Sequence, residues 1–209
     1  MKTIAGRECG GCTECCRFIP IRHEVLEKPT NLMCPHCAGG KGCTVYDLRP
    51  SMCRTWECGW KLTPTVPADW RPDRSGLVFR FEHLKRKEIS VVILDPSPAM
   101  FTEAFATIVC GWSENGFKVY FSAVGPTGHI PSLVLVSKRV RKAARARDLQ
   151  GVFKVFFEIL QEITTLHEWE PDGLTLRTEI VERAGQGHGP YHRGREASTN
   201  RAGAINRLM

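Results

Sequence analysis

Residues 9–16 read CGGCTECC: four cysteines in eight residues, the last two adjacent. CPHC at 34–37, then Cys43, Cys53 and Cys58, bring the count to nine before residue 59, and Cys110 is the tenth. Around them, Pro20, Pro29, Pro35 and Pro50 with Gly39, Gly40 and Gly42 interrupt any long periodic element. A segment with so few large aliphatics cannot fold on burial alone and needs a staple. The opening quarter of the chain therefore reads as a small irregular module, residues 1–60, held by its thiols.

Beyond it the texture changes. KLTPTVPADWRPDRSG (61–76) carries three prolines and reads as a linker or wrapping loop, 61–75. GLVFRFEHL (76–84) and EISVVILD (88–95) are strand patterns joined across a polar KRK, which predicts a hairpin. AMFTEAFATIVCGW (99–112) has helical spacing, with Phe101, Phe105, Ile108 and Trp112 on one face. FKVYFSAVG (117–125) and SLVLVS (132–137) are further strands. Residues 148–170 form the strongest helix, with a stripe of Val152, Phe156, Leu160 and Ile163, and TLRTEIVE (175–182) is a last strand. The order β-β-α-β-β-α-β predicts an α+β domain over 76–182, its sheet mostly antiparallel with helices on one face. The basic tail 183–209, nearly free of hydrophobic residues, is expected to be disordered.

With 42% hydrophobic residues in 209, the chain can bury a core. No stretch approaches the roughly 18 apolar residues of a membrane helix. MKTIAGRECGG has no apolar segment before its first cysteine, so no secretory signal is expected and the location reads as cytoplasmic. Thiols stay reduced there, which turns a cysteine cluster from disulfides toward metal ligands or redox chemistry. Of the net charge of +7, Lys138, Arg139, Arg141, Lys142, Arg145 and Arg147 with Asp148 contribute +5, and the tail contributes +4. The remainder is left at about −2 on that count, so the charge sits on two attachments.

A CxxC pair lets two thiolates converge on one ion from a tight turn, and a structural zinc site takes four at about 2.3 Å. The candidate ligands are Cys9, Cys12, Cys15, Cys16, Cys34, Cys37, Cys43, Cys53 and Cys58. Neighbouring side chains diverge, so Cys15 and Cys16 do not both reach one ion: one of them serves a second site, caps the cluster or is simply buried. Nine thiols also exceed one tetrahedral site. Either one or two zinc ions or one polynuclear centre is implied, and CxxCxxC with a distant cysteine also suits a [4Fe–4S] cluster. Four thiolates on a divalent ion leave −2, which favours cationic neighbours such as Arg17, Arg49 and Arg54. Trp56 and Trp60 could shield the sulfurs, while His23 and His36 are spare nitrogen donors. Cys110, among Ile108, Val109 and Trp112, reads as a buried structural thiol.

The string Cys9-x2-Cys12-x2-Cys15-Cys16, then Cys43-x2-Tyr46-x2-Arg49-Pro50-x2-Cys53-Arg54-x3-Cys58, resembles the YkgJ-type cysteine-cluster family, described as zinc- or iron-chelating proteins. The resemblance covers about residues 9–60, departs from the family at Cys37, and implies metal binding through these cysteines. A similar cluster in the flagellin lysine methylase is associated with an iron–sulfur centre, which keeps an enzymatic reading open.

Four functions are compatible with this sequence: a zinc- or iron-holding protein, an iron–sulfur enzyme of redox or group-transfer type, a metal buffer or delivery protein, and a zinc-stapled nucleic-acid binder. No GxGxxG fingerprint, P-loop or Ser/His/Asp pattern selects among them. His83, His129 and Glu103 are acid–base candidates by residue type alone.

Overall fold

The computed structural model describes residues 2–83, 85–97, 100–130, 132–165 and 170–180, with His83 as backbone only. The predicted tail lies outside these residues. From the N-terminus, α1 (Glu14–Phe18) precedes a hairpin of β1 (Ile21–His23) and β2 (Leu26–Lys28), and a second hairpin pairs β3 (Cys37–Ala38) with β4 (Gly42–Cys43). A 3₁₀ turn (Tyr46–Leu48) and the short helices α2 (Ser51–Thr55), α3 (Gly59–Leu62) and α4 (Pro72–Ser75) lead into β5 (Leu77–His83). Then come β6 (Glu88–Ile93), α5 (Glu103–Glu114), β7 (Lys118–Ala123), β8 (His129–Ile130), β9 (Val134–Leu135) and α6 (Ser137–Arg145). The described chain ends with α7 (Leu149–Thr165), β10 (Glu170–Pro171) and β11 (Arg177–Thr178).

The architecture is mixed α+β. Its main sheet has the order β5-β6-β7-β9. β5 and β6 form the expected hairpin, with Lys87 at φ +52° in its turn. β6 and β7 run parallel, Glu88↔Lys118 through Ile93↔Ala123, because α5 carries the chain back to the same end of the sheet. The other strand pairings among the described residues are antiparallel. α5 is capped by Thr102, whose hydroxyl accepts from the Phe105 amide at 3.2 Å.

Alternation along the strands sends Leu77, Phe79, Ile89, Val91, Ile93, Val119 and Phe121 to one face. There they meet Phe105, Val109 and Trp112 of α5 and Val152, Phe156, Ile159 and Ile163 of α7. Phe101, Phe105, Phe121 and Phe156 form an aromatic nest with ring centroids 5.2–6.2 Å apart. Among the described residues, no helix is long and apolar enough to cross a membrane.

Three elements depart from the expected order, and in the first Glu170, read as the end of the long helix, instead opens β10 opposite Ile130. SLVLVS supplies only the two-residue β9, since Ser137 already opens the basic helix α6. Of the expected last strand, 175–182, the described residues form only β11, which leaves the main sheet to pair with β2, Thr178 opposite Leu26. The end of the described chain therefore returns to the cysteine-rich segment. Asp172 fastens this return by accepting from the Thr30 amide at 2.6 Å, and Thr178 Oγ1 lies 2.6 Å from buried His36 Nε2.

The cysteine segment is also seated against the sheet. Trp60 and Val66 enter the main core, and the Arg7 guanidinium donates to the carbonyls of Trp60, Thr63 and Val66 at 2.5–2.9 Å. At Gly59 a Cβ would stand 2.7 Å from both Cβ and the carbonyl oxygen of Phe79, so only glycine lets α3 lie this close to β5. That contact fixes the position of Cys58, which precedes it.

Candidate metal centre

CGGC forms a tight turn in which the Cys12 amide donates to the Cys9 carbonyl at 2.9 Å, with Gly10 at φ +51°. α1 starts directly after it and carries Cys15 and Cys16 in its first turn. The turn interlocks with the β3–β4 hairpin of CPHCAGGKGC. A Cβ on Gly11 would lie 2.7 Å from the Gly40 carbonyl oxygen, and one on Gly42 would lie 3.0 Å from the Gly10 oxygen. Two glycine-rich turns thus touch backbone to backbone and draw their flanking cysteines together. Gly11→Ala should therefore cost about 1–3 kcal/mol in a denaturant melt, as forced overpacking does. Gly39→Ala, where nothing lies within 4 Å, serves as the control. Equal stability of the two variants would contradict the interlock.

The remaining cysteines arrive on short elements. The Cys34 amide donates to the Cys16 carbonyl at 3.1 Å, and Cys37 pairs with Cys43 across β3–β4. Pro50 opens α2, which carries Cys53, and Cys58 precedes α3. Cys9, Cys12, Cys15, Cys16, Cys34, Cys43, Cys53 and Cys58 all line one cavity of about 170 Å³. Cys37 packs beside Cys16, Cys34 and Cys53, and Cys110 lies apart on α5 against the main core. Arg49, Arg54, Trp56 and His36 also line the cavity. Arg17 is instead turned to Asn31 and the Phe18 ring, and His23 Nδ1 faces its own Val25 amide. His129 and Glu103 do not line the cavity.

Two cations near the thiols were not singled out from sequence. Lys28 is fully buried, and its ammonium donates to the carbonyls of Arg17, Pro29 and Leu32 at 2.8–2.9 Å. Burial pulls its pKa down to about 8, against the opposing pull of neighbouring Cys34 and Cys16. Lys61 lines the cavity and donates to Glu57 at 2.6 Å. A lone lysine in a strand ahead of a proline gives no signal that its side chain turns inward.

The thiols are held mostly protonated. Burial pushes Cys53 up to about 11 and Cys58 up to about 12, and it raises Cys9, Cys12 and Cys34 as well. Cys16 is the exception. The Cys15 and then the Cys37 thiol donate to its sulfur, which holds it well below the ordinary thiol range and raises both donors.

The donor chemistry suits a thiophilic metal: soft sulfur ligands with arginine and lysine around them. The sulfurs surround their cavity without converging on a point, and no group of three or more His, Cys, Asp or Glu among the described residues stands ready to hold an ion.

The basic stretch lies elsewhere. On α6, Val140 is buried while Lys138, Arg141, Lys142 and Arg145 are exposed, and Arg139 pairs with Glu162 and Glu158. No family model matches the chain, and neither does any curated protein or solved structure.

Proposed function

We propose that this protein binds a thiophilic metal, zinc in the first instance, through its N-terminal cysteine cluster. One observation carries the reading: eight cysteines, spread over five short elements and turns between residues 9 and 58, line one cavity. Chance placement of free thiols does not gather them, and burial of this many neutral thiols has no packing purpose that alanine or valine would not serve. The resemblance to the YkgJ-type cluster, carried by the cysteines and the Arg49-Pro50 pair, points the same way. Small rotations of the side chains about their Cα–Cβ bonds bring sulfurs at a shared cavity onto an ion, displacing their protons to solvent.

A [4Fe–4S] cluster is the second reading, favoured by a cavity much roomier than a single ion needs. Such a centre would give the protein redox or group-transfer chemistry, with the cavity as its reaction chamber. Elemental analysis and a visible spectrum of protein purified without air distinguish the two. Zinc with no visible band supports the first reading, and iron with a broad brown absorption supports the second. Metal-free protein in which all ten thiols react with a thiol reagent would overturn both.

The exposed cations of α6 lie on a different element from the cluster and suit a polyanionic partner such as nucleic acid. Such binding would weaken steeply with salt, because counterions are released for each neutralised phosphate.

A further inference from the structure

We propose that the cluster is two separate thiolate centres, each for one divalent thiophilic ion: Cys9, Cys12, Cys15 and Cys58 hold the first, and Cys16, Cys34, Cys43 and Cys53 hold the second. The inference rests on the metal-binding reading above and gives it a ligand partition and a stoichiometry.

The first set has a cavity of its own. Besides the larger space, a second cavity of about 10 Å³ is lined by Cys9, Cys12, Cys15 and Cys58 and by no other cysteine. That volume is about one water-sized sphere, which suits a single ion and nothing larger. Its walls are Trp60, Pro72 and Val78, with Arg71 as the charged member. Val78 comes from β5, on the face opposite Leu77 and Phe79, so the sheet itself floors this site.

The two sets also belong to different packing units. Cys58 is part of the large core beneath α5 and α7. Cys34, with Cys16 and Cys53 against it, belongs to a separate small cluster built on Ile21, Leu26 and Ile180. Backbone links follow the same division: Cys9 to Cys12 in the first set, Cys16 to Cys34 in the second.

Helix geometry explains the adjacent pair. Consecutive residues on α1 point roughly 100° apart, so Cys15 and Cys16 cannot converge on one ion without distortion. Assigning one to each centre removes the conflict. The two sets adjoin there, through the Cys15 thiol that donates to Cys16. Cys37 then has a distinct place: it lines neither cavity and donates to Cys16 from the side.

A cation stands beside each set. Lys28 feels Cys34, Cys16 and Cys53, whereas Arg71 feels Cys12 and Cys9 and is held in place by a two-pronged contact with Asp73 at 2.7 Å. Two tetrathiolate ions would each carry −2, and a positive charge beside each offsets part of it.

The test is zinc stoichiometry by native mass spectrometry on anaerobically reconstituted full-length protein, with Cys58→Ser, Cys53→Ser and the double variant. The expected result is two zinc ions in the wild type, one in each single variant and none in the double variant. A second measurement needs no variant: cadmium-113 NMR of the substituted wild type should give two resonances. One ion or one resonance, or the loss of all metal from either folded single variant, would overturn the partition while leaving metal binding intact. Four irons as a single cluster would do the same. No metal in the wild type would sink the underlying reading itself.

Discussion

On the metal-binding reading, removing the metal with a strong chelator should unfold residues 9–58 and leave the helix-covered sheet standing. The contrast lies in what each part buries. The sheet and its helices share one core, with Phe79, Phe105, Phe121, Phe156 and Ile159 almost fully buried. The cysteine segment's own cluster has three buried members, Ile21, Leu26 and Cys34. So small a cluster supplies little burial, whereas a structural zinc supplies about 10–16 kcal/mol of folding free energy. Hydrogen exchange before and after chelation reads this directly. Amides of β1 to β4, α1 and α2 should lose protection while those of β6, β7 and α7 keep it. Unchanged protection in the cysteine segment of metal-free protein would contradict the account.

Were the cysteine segment to stay folded without metal, the outcome that contradicts this first expectation, the same thiols would set a pH signature. An unfolded thiol titrates near 9.0, whereas Cys53 and Cys58 are raised to about 11 and about 12 when folded. A raised pKa gives stability that is complete below the unfolded value and lost as pH climbs through the folded one. Metal-free stability should therefore fall between pH 9 and 12. Lys28, depressed to about 8 from 10.5, opposes this only up to 10.5, and it is one amine against seven raised thiols. Metal loading, which needs the thiols deprotonated, should by the same sign weaken as pH drops.

Lys28→Met is the second large effect. Methionine keeps an apolar stem one atom shorter and removes the three donors. The carbonyls of Arg17, Pro29 and Leu32 then lose their partner in a buried place, at about 1–3 kcal/mol each. The variant should be destabilised by about 3 kcal/mol or more in a denaturant melt, and its zinc affinity should fall because a positive charge beside Cys34 and Cys16 is gone. Lys41→Met, at an exposed hairpin position, should change neither. A Lys28→Met protein with normal stability and normal zinc affinity would show that this ammonium neither holds the loop nor offsets the thiolates.

Periodicity made the main domain readable. The apolar stripe of 148–170 and the strand patterns around KRK mark real elements, because each buries one face and the 3.6- or 2-residue period records which face that is. The helix between EISVVILD and FKVYFSAVG carried a further message: one helix joining neighbouring strands makes them parallel, which is why β6 and β7 depart from a wholly antiparallel arrangement. β11 was misplaced because TLRTEIVE has a strand pattern that names no partner, and its pairing with β2 spans some 150 residues of chain. At the site, the cysteines were visible from spacing alone, and so was the conflict between Cys15 and Cys16. Lys28 and Arg71 were not, since a charged residue buried by tertiary contacts resembles any surface lysine or arginine. The role of Gly11 was hidden too, because only the approach of Gly40 shows why a side chain cannot stand there.

The most direct measurement is X-ray absorption at the metal edge of protein purified without air. Four sulfur neighbours at about 2.3 Å around zinc, with no light-atom shell, is the predicted result. A first shell of nitrogen and oxygen only, or no stoichiometric metal at all, would mean that these gathered thiols serve something other than a metal.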